Sequence, residues 1–180
     1  MAEKEEEYTG AARGTAYHRV MECLDYEKTD TDEQLQEQLE KLLEQKKLME
    51  AEEQCIRIPD VRAFLESSIG MRMKKAALAH KLYREQPFVI SRKASEIDER
   101  WPGEETVLVQ GIIDAFFYEE NELVLVDYKT DAVRKGEEMR LVELYHTQLE
   151  DYAQALERMT GKRVKEKYIY SFTLNKAILL

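Results

Sequence analysis

Val107 to Asp131 reads VLVQGIIDAFFYEENELVLVDYKTD. It holds two apolar runs of β type joined by a polar link, Glu119-Glu120-Asn121-Glu122. Each run carries a carboxylate where an apolar side chain is expected: Asp114 lies between Ile112-Ile113 and Ala115-Phe116-Phe117, and Asp127 closes Leu123-Val124-Leu125-Val126. A buried acid is costly unless it is paired or holds a metal. Side chains of a strand repeat every second residue on one face, so Asp127 and Lys129 project together. A hairpin over this stretch brings the two acids onto neighbouring strands with a lysine beside them. That grouping suits a hard cation and a polarised water. Asp-Tyr-Lys alone is also explained by a surface ion pair; the second acid on the preceding strand argues for chemistry.

Outward from the hairpin, the chain has the size of one domain. Its 180 residues are 43% hydrophobic, enough for a core. No run approaches the ~18 apolar residues of a membrane span, and MAEKEEEY is not a targeting signal, so a cytoplasmic protein is expected. Cys23 and Cys55 lack metal-site spacing and cannot supply four thiolates, which excludes an iron–sulfur cluster built by this segment alone. No phosphate-cradling G-x-x-x-x-G-K-[ST] occurs, so no ATP site is expected.

The net charge of −10 is uneven. Residues 1–60 hold 8 basic and 17 acidic residues; residues 71–95 hold seven basic residues and one acid, Glu85. Lys74, Lys75, Lys81 and Arg84 of this basic stretch are candidates for phosphate contact, against the alternative of a solvated helix face.

The acidic residues 1–13 read as a flexible linker arm, with the folded domain at 14–180. Thr15 is placed as the N-cap of a helix carrying His18 and Glu22 on one face. Residues 31–53 read as a charged, exposed or partner-facing helix. Asp60 is expected to cap a short helix through Glu66, followed by a helix from Met71 to Tyr83 that Gln86-Pro87 ends. Phe88-Val89-Ile90 reads as a strand, Trp101-Pro102-Gly103 as a turn, and 137–160 as a long helix stopped by Gly161. On it Gln148 and Tyr152 are four apart and project together, able to bond a phosphate or a lysine. Strands at 165–172 and 177–180 complete an α/β fold: a mixed sheet flanked by helices.

Gly14-Thr15 with His18 and Glu22, Gly111 with Asp114, Asp127-Tyr128-Lys129-Thr130, then Gln148-Leu149 with Tyr152 occur in order. Over about residues 14–175 this pattern resembles the nuclease domains of the AddA and RecB helicase–nuclease subunits, within the PD-(D/E)xK superfamily; the DYKTD segment and YIYSF place AddA nearer. The resemblance implies a restriction-endonuclease-like core. It implies an Mg²⁺-dependent exonuclease, with Mn²⁺ able to substitute, acting in double-strand-break repair and homologous recombination. His18, Asp114, Asp127 and the carbonyl of Tyr128 would hold the cation. Lys129 would orient the attacking water, and Gln148 and Tyr152 would position the lysine or the scissile strand. Glu22 matches the family's helix glutamate. The substrate would be a single strand, 3′-ended in the AddA case, from duplex unwound by helicase domains of the same full-length chain, beside an AddB-type partner subunit. The competing class is a degenerate nuclease fold that only guides DNA or docks a partner; the intact set of His18, Asp114, Asp127 and Lys129 argues against it.

Overall fold

A computed structural model describes residues 2–97, 100, 101, 103 and 105–180, with side chains not described at 2–9 and 96–97. Five strands form one mixed sheet in the order β1 (Leu82–Lys93), β2 (Thr106–Glu119), β3 (Glu122–Lys129), β4 (Val164–Ser171), β5 (Lys176–Leu179). All neighbours are antiparallel except β3 and β4, which run parallel and are joined through helix α7 (Glu138–Thr160). Gly161, at φ +67, ends α7 in the left-handed conformation open to glycine. This is the restriction-endonuclease-like α/β architecture expected above.

Two apolar layers sandwich the sheet. On one face, α1 (Ala2–Cys23), α2 (Asp32–Glu44), α4 (Ile58–Glu66) and α5 (Ser68–Leu78) bury Tyr17, Met21, Leu35, Phe64, Ile69 and Met73 against Phe117, Val126, Tyr128, Tyr170 and Phe172. On the other, α7 buries Leu149, Tyr152 and Leu156 against Phe88, Ile113, Leu125 and Ile169. The strictly apolar Leu123–Val126 is thus covered on both faces, as a central strand requires.

Several local expectations are corrected. Residues 2–13 are helical and continuous with the His18 segment, because Ala, Glu and Lys are strong helix formers and no proline intervenes. Thr15 caps nothing; its hydroxyl donates to the Ala11 carbonyl one turn back. The 31–53 segment breaks after Glu44, with Lys46 at φ +57, and resumes as the short α3 (Glu50–Glu53). It is not an exposed helix face: Leu35, Leu39, Leu42 and Leu48 are in the core. Thr31 caps α2 in a capping box with Gln34. Asp60 is inside the first turn of α4, buried, accepting hydrogen bonds from Tyr17 (2.7 Å) and Asn175 (3.0 Å). Ser67 caps α5, which stops at Leu78, and Gln86-Pro87 belong to β1 rather than ending a helix. Proline is tolerated there because β1 is an edge strand with no outer ladder to supply. Of the expected turn at 101–103, Pro102 lies outside the described residues.

Candidate active site

The sheet forks at the two acids. β2 and β3 pair only from Ala115↔Val126 to Glu119↔Glu122; beyond that end, β2 continues with β1 alone and β3 with β4 alone. Asp114 and Asp127 are the next residues on each strand, at opposite lips of the opening. On the outer side, Glu85 interrupts the β1–β2 ladder between Arg84↔Ala115 and Gln86↔Ile113, with φ +49. Here the strand alternation changes hand: Ile113 packs on the α7 layer, whereas Ala115 and Phe117 pack on the α1 layer. An irregularity of this kind re-aims a side chain, and Asp114 is the one re-aimed.

The fork leaves the Tyr128 backbone groups open on this side, and Asp114 and His18 take them. Asp114 Oδ2 accepts from the Tyr128 N–H at 2.7 Å. Its Oδ1 lies 3.3 Å from His18 Nδ1, and His18 Nε2 donates to the Tyr128 carbonyl at 3.0 Å. His18, Asp114 and the Tyr128 backbone therefore close a ring between α1, β2 and β3. Burial pulls the His18 pKa down, but the hydrogen bond and charge of Asp114, with Asp127, outweigh it, and the net shift is upward. Glu85 joins them: one ligand-type atom each from His18, Glu85 and Asp114 lie within 4.8 Å of one another. Its pKa is raised by burial, then by the charges of Asp114 and Glu22.

Asp127 faces the other way, into a lysine pocket. It is 1% exposed, with Oδ2 2.6 Å from Lys129 Nζ and Oδ1 without a hydrogen-bond partner. The Asp127–Lys129 contact is an ion pair by distance but lacks hydrogen-bond alignment. Burial, then the charge of Asp114, push the Asp127 carboxyl well above the usual carboxylate range in spite of that lysine. Lys129 Nζ also donates to Gln148 Oε1 at 3.4 Å, and Gln148 Nε2 donates to Tyr152 OH at 2.6 Å. Tyr145, one turn before Gln148, puts its ring 4.2 Å from the ammonium and donates its hydroxyl to Asp131 at 2.8 Å. Gly111 has a reason here: a Cβ would come 2.8 Å from the Phe88 ring, which packs edge-on against Tyr152. The glycine of G-x-x-D thus makes room for the residue that seats Tyr152.

The donor set fits a hard divalent cation: carboxylates, a backbone carbonyl and one imidazole. His18 Nε2 and the Tyr128 carbonyl oxygen, 3.0 Å apart, have the spacing of adjacent ligands on an octahedral ion with bonds of about 2.1 Å. An acid whose burial disfavours its charge, with one oxygen unmatched, is the kind of group a cation stabilises. A shallow cavity of about 410 Å³, lined by Gly14, Thr15, His18, Arg19, Glu22 and Glu85, opens over the cluster. Glu22 lines it and pairs with Arg19.

Every residue read as catalytic or metal-holding thus lies at the fork, in two groups: His18, Asp114 and the Tyr128 carbonyl on one side, and Asp127, Lys129, Gln148 and Tyr152 on the other. Glu85 and Tyr145 were passed over. Glu85 had a signal, as the lone acid of a basic stretch; Tyr145 had only its helical spacing to Gln148. The basic candidates do not form one face. Lys74 pairs with Asp30 at 2.7 Å, and Arg84 holds the Met21 and Leu24 carbonyls near the end of α1, while Lys75 and Lys81 are exposed.

Fold and site together define a nuclease class, and the chain belongs to the PD-(D/E)XK nuclease superfamily, whose model matches residues 1–177. It is similar to proteins named as the A subunit of an ATP-dependent helicase/nuclease. Identity is 42% to that of Clostridium kluyveri (92% of this chain, 13% of that protein) and 38% to that of Clostridium perfringens (99% and 14%). To that of Thermoanaerobacter it is 42% (94% and 14%). The chain therefore spans about one seventh of the length of these relatives. Among the described residues no helix is long and apolar enough to cross a membrane.

Proposed function

We propose that this chain hydrolyses DNA phosphodiester bonds with a divalent cation, Mg²⁺ with Mn²⁺ as substitute, held at the fork by His18, Asp114, Asp127 and the Tyr128 carbonyl, with Glu85 at its edge. The observation that carries the reading is the pair of carboxylates at the opening where β2 leaves β3, one closed into a ring with His18 and one left with an unmatched oxygen beside a lysine. When bound, the cation neutralises charge developing on the phosphate and makes a water more acidic.

The chain's own residues do the rest. Lys129 Nζ, fixed by Asp127, Gln148 and the Tyr145 ring, hydrogen-bonds the attacking water and orients it toward phosphorus. Gln148 hands its amide to Tyr152, so the two move as one unit against the lysine or the scissile strand. His18, doubly held by Asp114 and Tyr128, keeps the α1 wall of the cleft in register with β3.

By likeness to these helicase/nuclease proteins, residues 14–180 are the nuclease domain of a longer cytoplasmic helicase–nuclease. It cuts, as an exonuclease, the single strand that helicase domains of the same chain unwind, beside an AddB-type partner, in double-strand-break repair. A module that only guided DNA would not need Lys129 held between Asp127 and Gln148.

Cleavage of single-stranded DNA with Mg²⁺, measured together with Mn²⁺ binding, tests the reading. Lys129→Ala is expected to bind Mn²⁺ as the wild type does and to lose cleavage. Undiminished cleavage by that variant overturns it.

A further inference from the structure

Arg13 stands at the end of the stretch read from sequence as a linker, yet it hydrogen-bonds three residues just beyond the ends of β3 and β4. Its Nη1 donates to the Thr130 carbonyl at 3.0 Å and to Thr173 Oγ1 at 2.9 Å, and its Nη2 donates to the Phe172 carbonyl at 3.3 Å. Thr173 Oγ1 itself donates to the Thr130 carbonyl at 3.1 Å, so that carbonyl is held twice. The guanidinium also lies 5.1 Å over the ring of Tyr17, which packs 4.3 Å from Phe172.

These contacts land beside the cation cluster. Thr130 follows Lys129 and is two residues beyond Tyr128, whose carbonyl is 3.0 Å from His18 Nε2. His18 rides on α1 and the carbonyl on β3, so their separation depends on how α1 is seated on the end of β3. Arg13 is five residues from His18 on the same rigid helix, and it ties that helix to the ends of both β3 and β4. Displacements of about 1 Å disable a ligand constellation. Only a planar fork with several donors reaches three acceptors on two segments at once; an ammonium on a flexible stem does not hold that geometry.

We propose that Arg13 is a positioning residue for the cation site: by clamping α1 to Thr130, Phe172 and Thr173 it sets the distance between His18 and the Tyr128 carbonyl. The proposal rests on the metal reading above. It also makes the segment before the first motif a working part of the nuclease rather than a tether.

The test is Mn²⁺ titration calorimetry on the whole chain, below the melting transition of every variant, with folding checked by circular dichroism. Arg13→Ala is expected to weaken Mn²⁺ binding about tenfold, the lower end for groups that orient metal ligands. Arg62→Ala is the control for a merely structural anchor, since Arg62 makes comparable bonds to the Thr29 carbonyl (2.7 Å) and Asp32 (2.9 Å) on the α2–α4 side; it should bind as the wild type does. Should Arg13→Ala fail to fold, Arg13→Lys carries the test and should weaken binding to a smaller extent. Wild-type affinity in the folded Arg13 variant, or equal loss in the Arg13 and Arg62 variants, overturns the proposal. A wild type that binds no Mn²⁺ overturns the metal reading itself and the proposal with it.

Discussion

The same two strands carry charge at both ends and treat it in opposite ways. At the turn end of β2, Glu119 is gripped by Arg72 in a two-toothed pair (2.9 and 2.8 Å) and by Lys165 (2.6 Å), while Arg72 also reaches Glu166 (2.7 Å). The hydrogen bonds of Arg72, then of Lys165, bring the Glu119 pKa down to about 2. At the fork end, Asp127 has a lysine nearby, yet its pKa is pushed up by burial and by Asp114. The two ends differ in completeness. The Glu119 network supplies every charge with partners and needs nothing more; the fork gathers carboxylates that repel one another and leaves an oxygen unmatched. Ion pairs that close on themselves build the fold, whereas the open set at the fork is the one that the proposed cation and substrate would complete.

Substitutions at the two ends should therefore separate stability from activity. The largest effect is expected from Lys129→Ala: cleavage of single-stranded DNA per folded molecule falls by about 10²-fold or more, the scale for loss of a group that orients a reactant. Next, Arg72→Ala should lower stability by roughly 1–3 kcal/mol, because it strips Glu119 and Glu166 of their shared partner. It should leave cleavage per folded molecule unaltered. Denaturant unfolding alongside a cleavage assay checks both halves.

A smaller effect of opposite sign is expected from Asp127→Asn. Its surroundings disfavour the charge, so with chelator present the neutral isostere should stabilise the chain by about 1 kcal/mol, seen as a melting temperature higher by ~2–4 °C, while cleavage is lost. A lower melting temperature would mean that the Lys129 pair outweighs burial and repulsion. The smallest effect is in the pH dependence. The folded pKa of Glu119 lies below its ordinary value of 4.5, so its contribution is complete above pH 4.5 and disappears as pH falls toward about 2. The stability gap between wild type and Glu119→Gln should be constant near neutrality and close across that window.

The central hairpin, the long helix and the site lysine were legible because each is written locally. Alternation places Asp127 with Lys129, two apolar runs define the strands, and Gln148 and Tyr152 are one helical turn apart. What was illegible depends on tertiary register. Glu85 comes within reach of His18 and Asp114 only because β1 pairs with β2 on either side of it, and nothing within residues 82–93 announces that partner. Leu35, Leu39 and Leu42 form a buried stripe on a helix whose polar side dominates its composition, so the segment read as exposed. Arg72, Arg84 and Lys74 looked like a cationic face because sequence shows the charge without the acids and carbonyls that hold it.

The central claim, that the fork is built to hold a divalent cation, is tested most directly by calorimetric titration of Mn²⁺ into wild type, Asp114→Asn and Arg72→Ala under identical conditions. Asp114→Asn keeps an acceptor for the Tyr128 N–H, removes the charge, and turns the atom beside His18 Nδ1 from an acceptor into an amide donor. The expected result is one saturable site in wild type, the same site at the same affinity in Arg72→Ala, and binding at least about tenfold weaker in Asp114→Asn. Equal affinity for wild type and Asp114→Asn would contradict it.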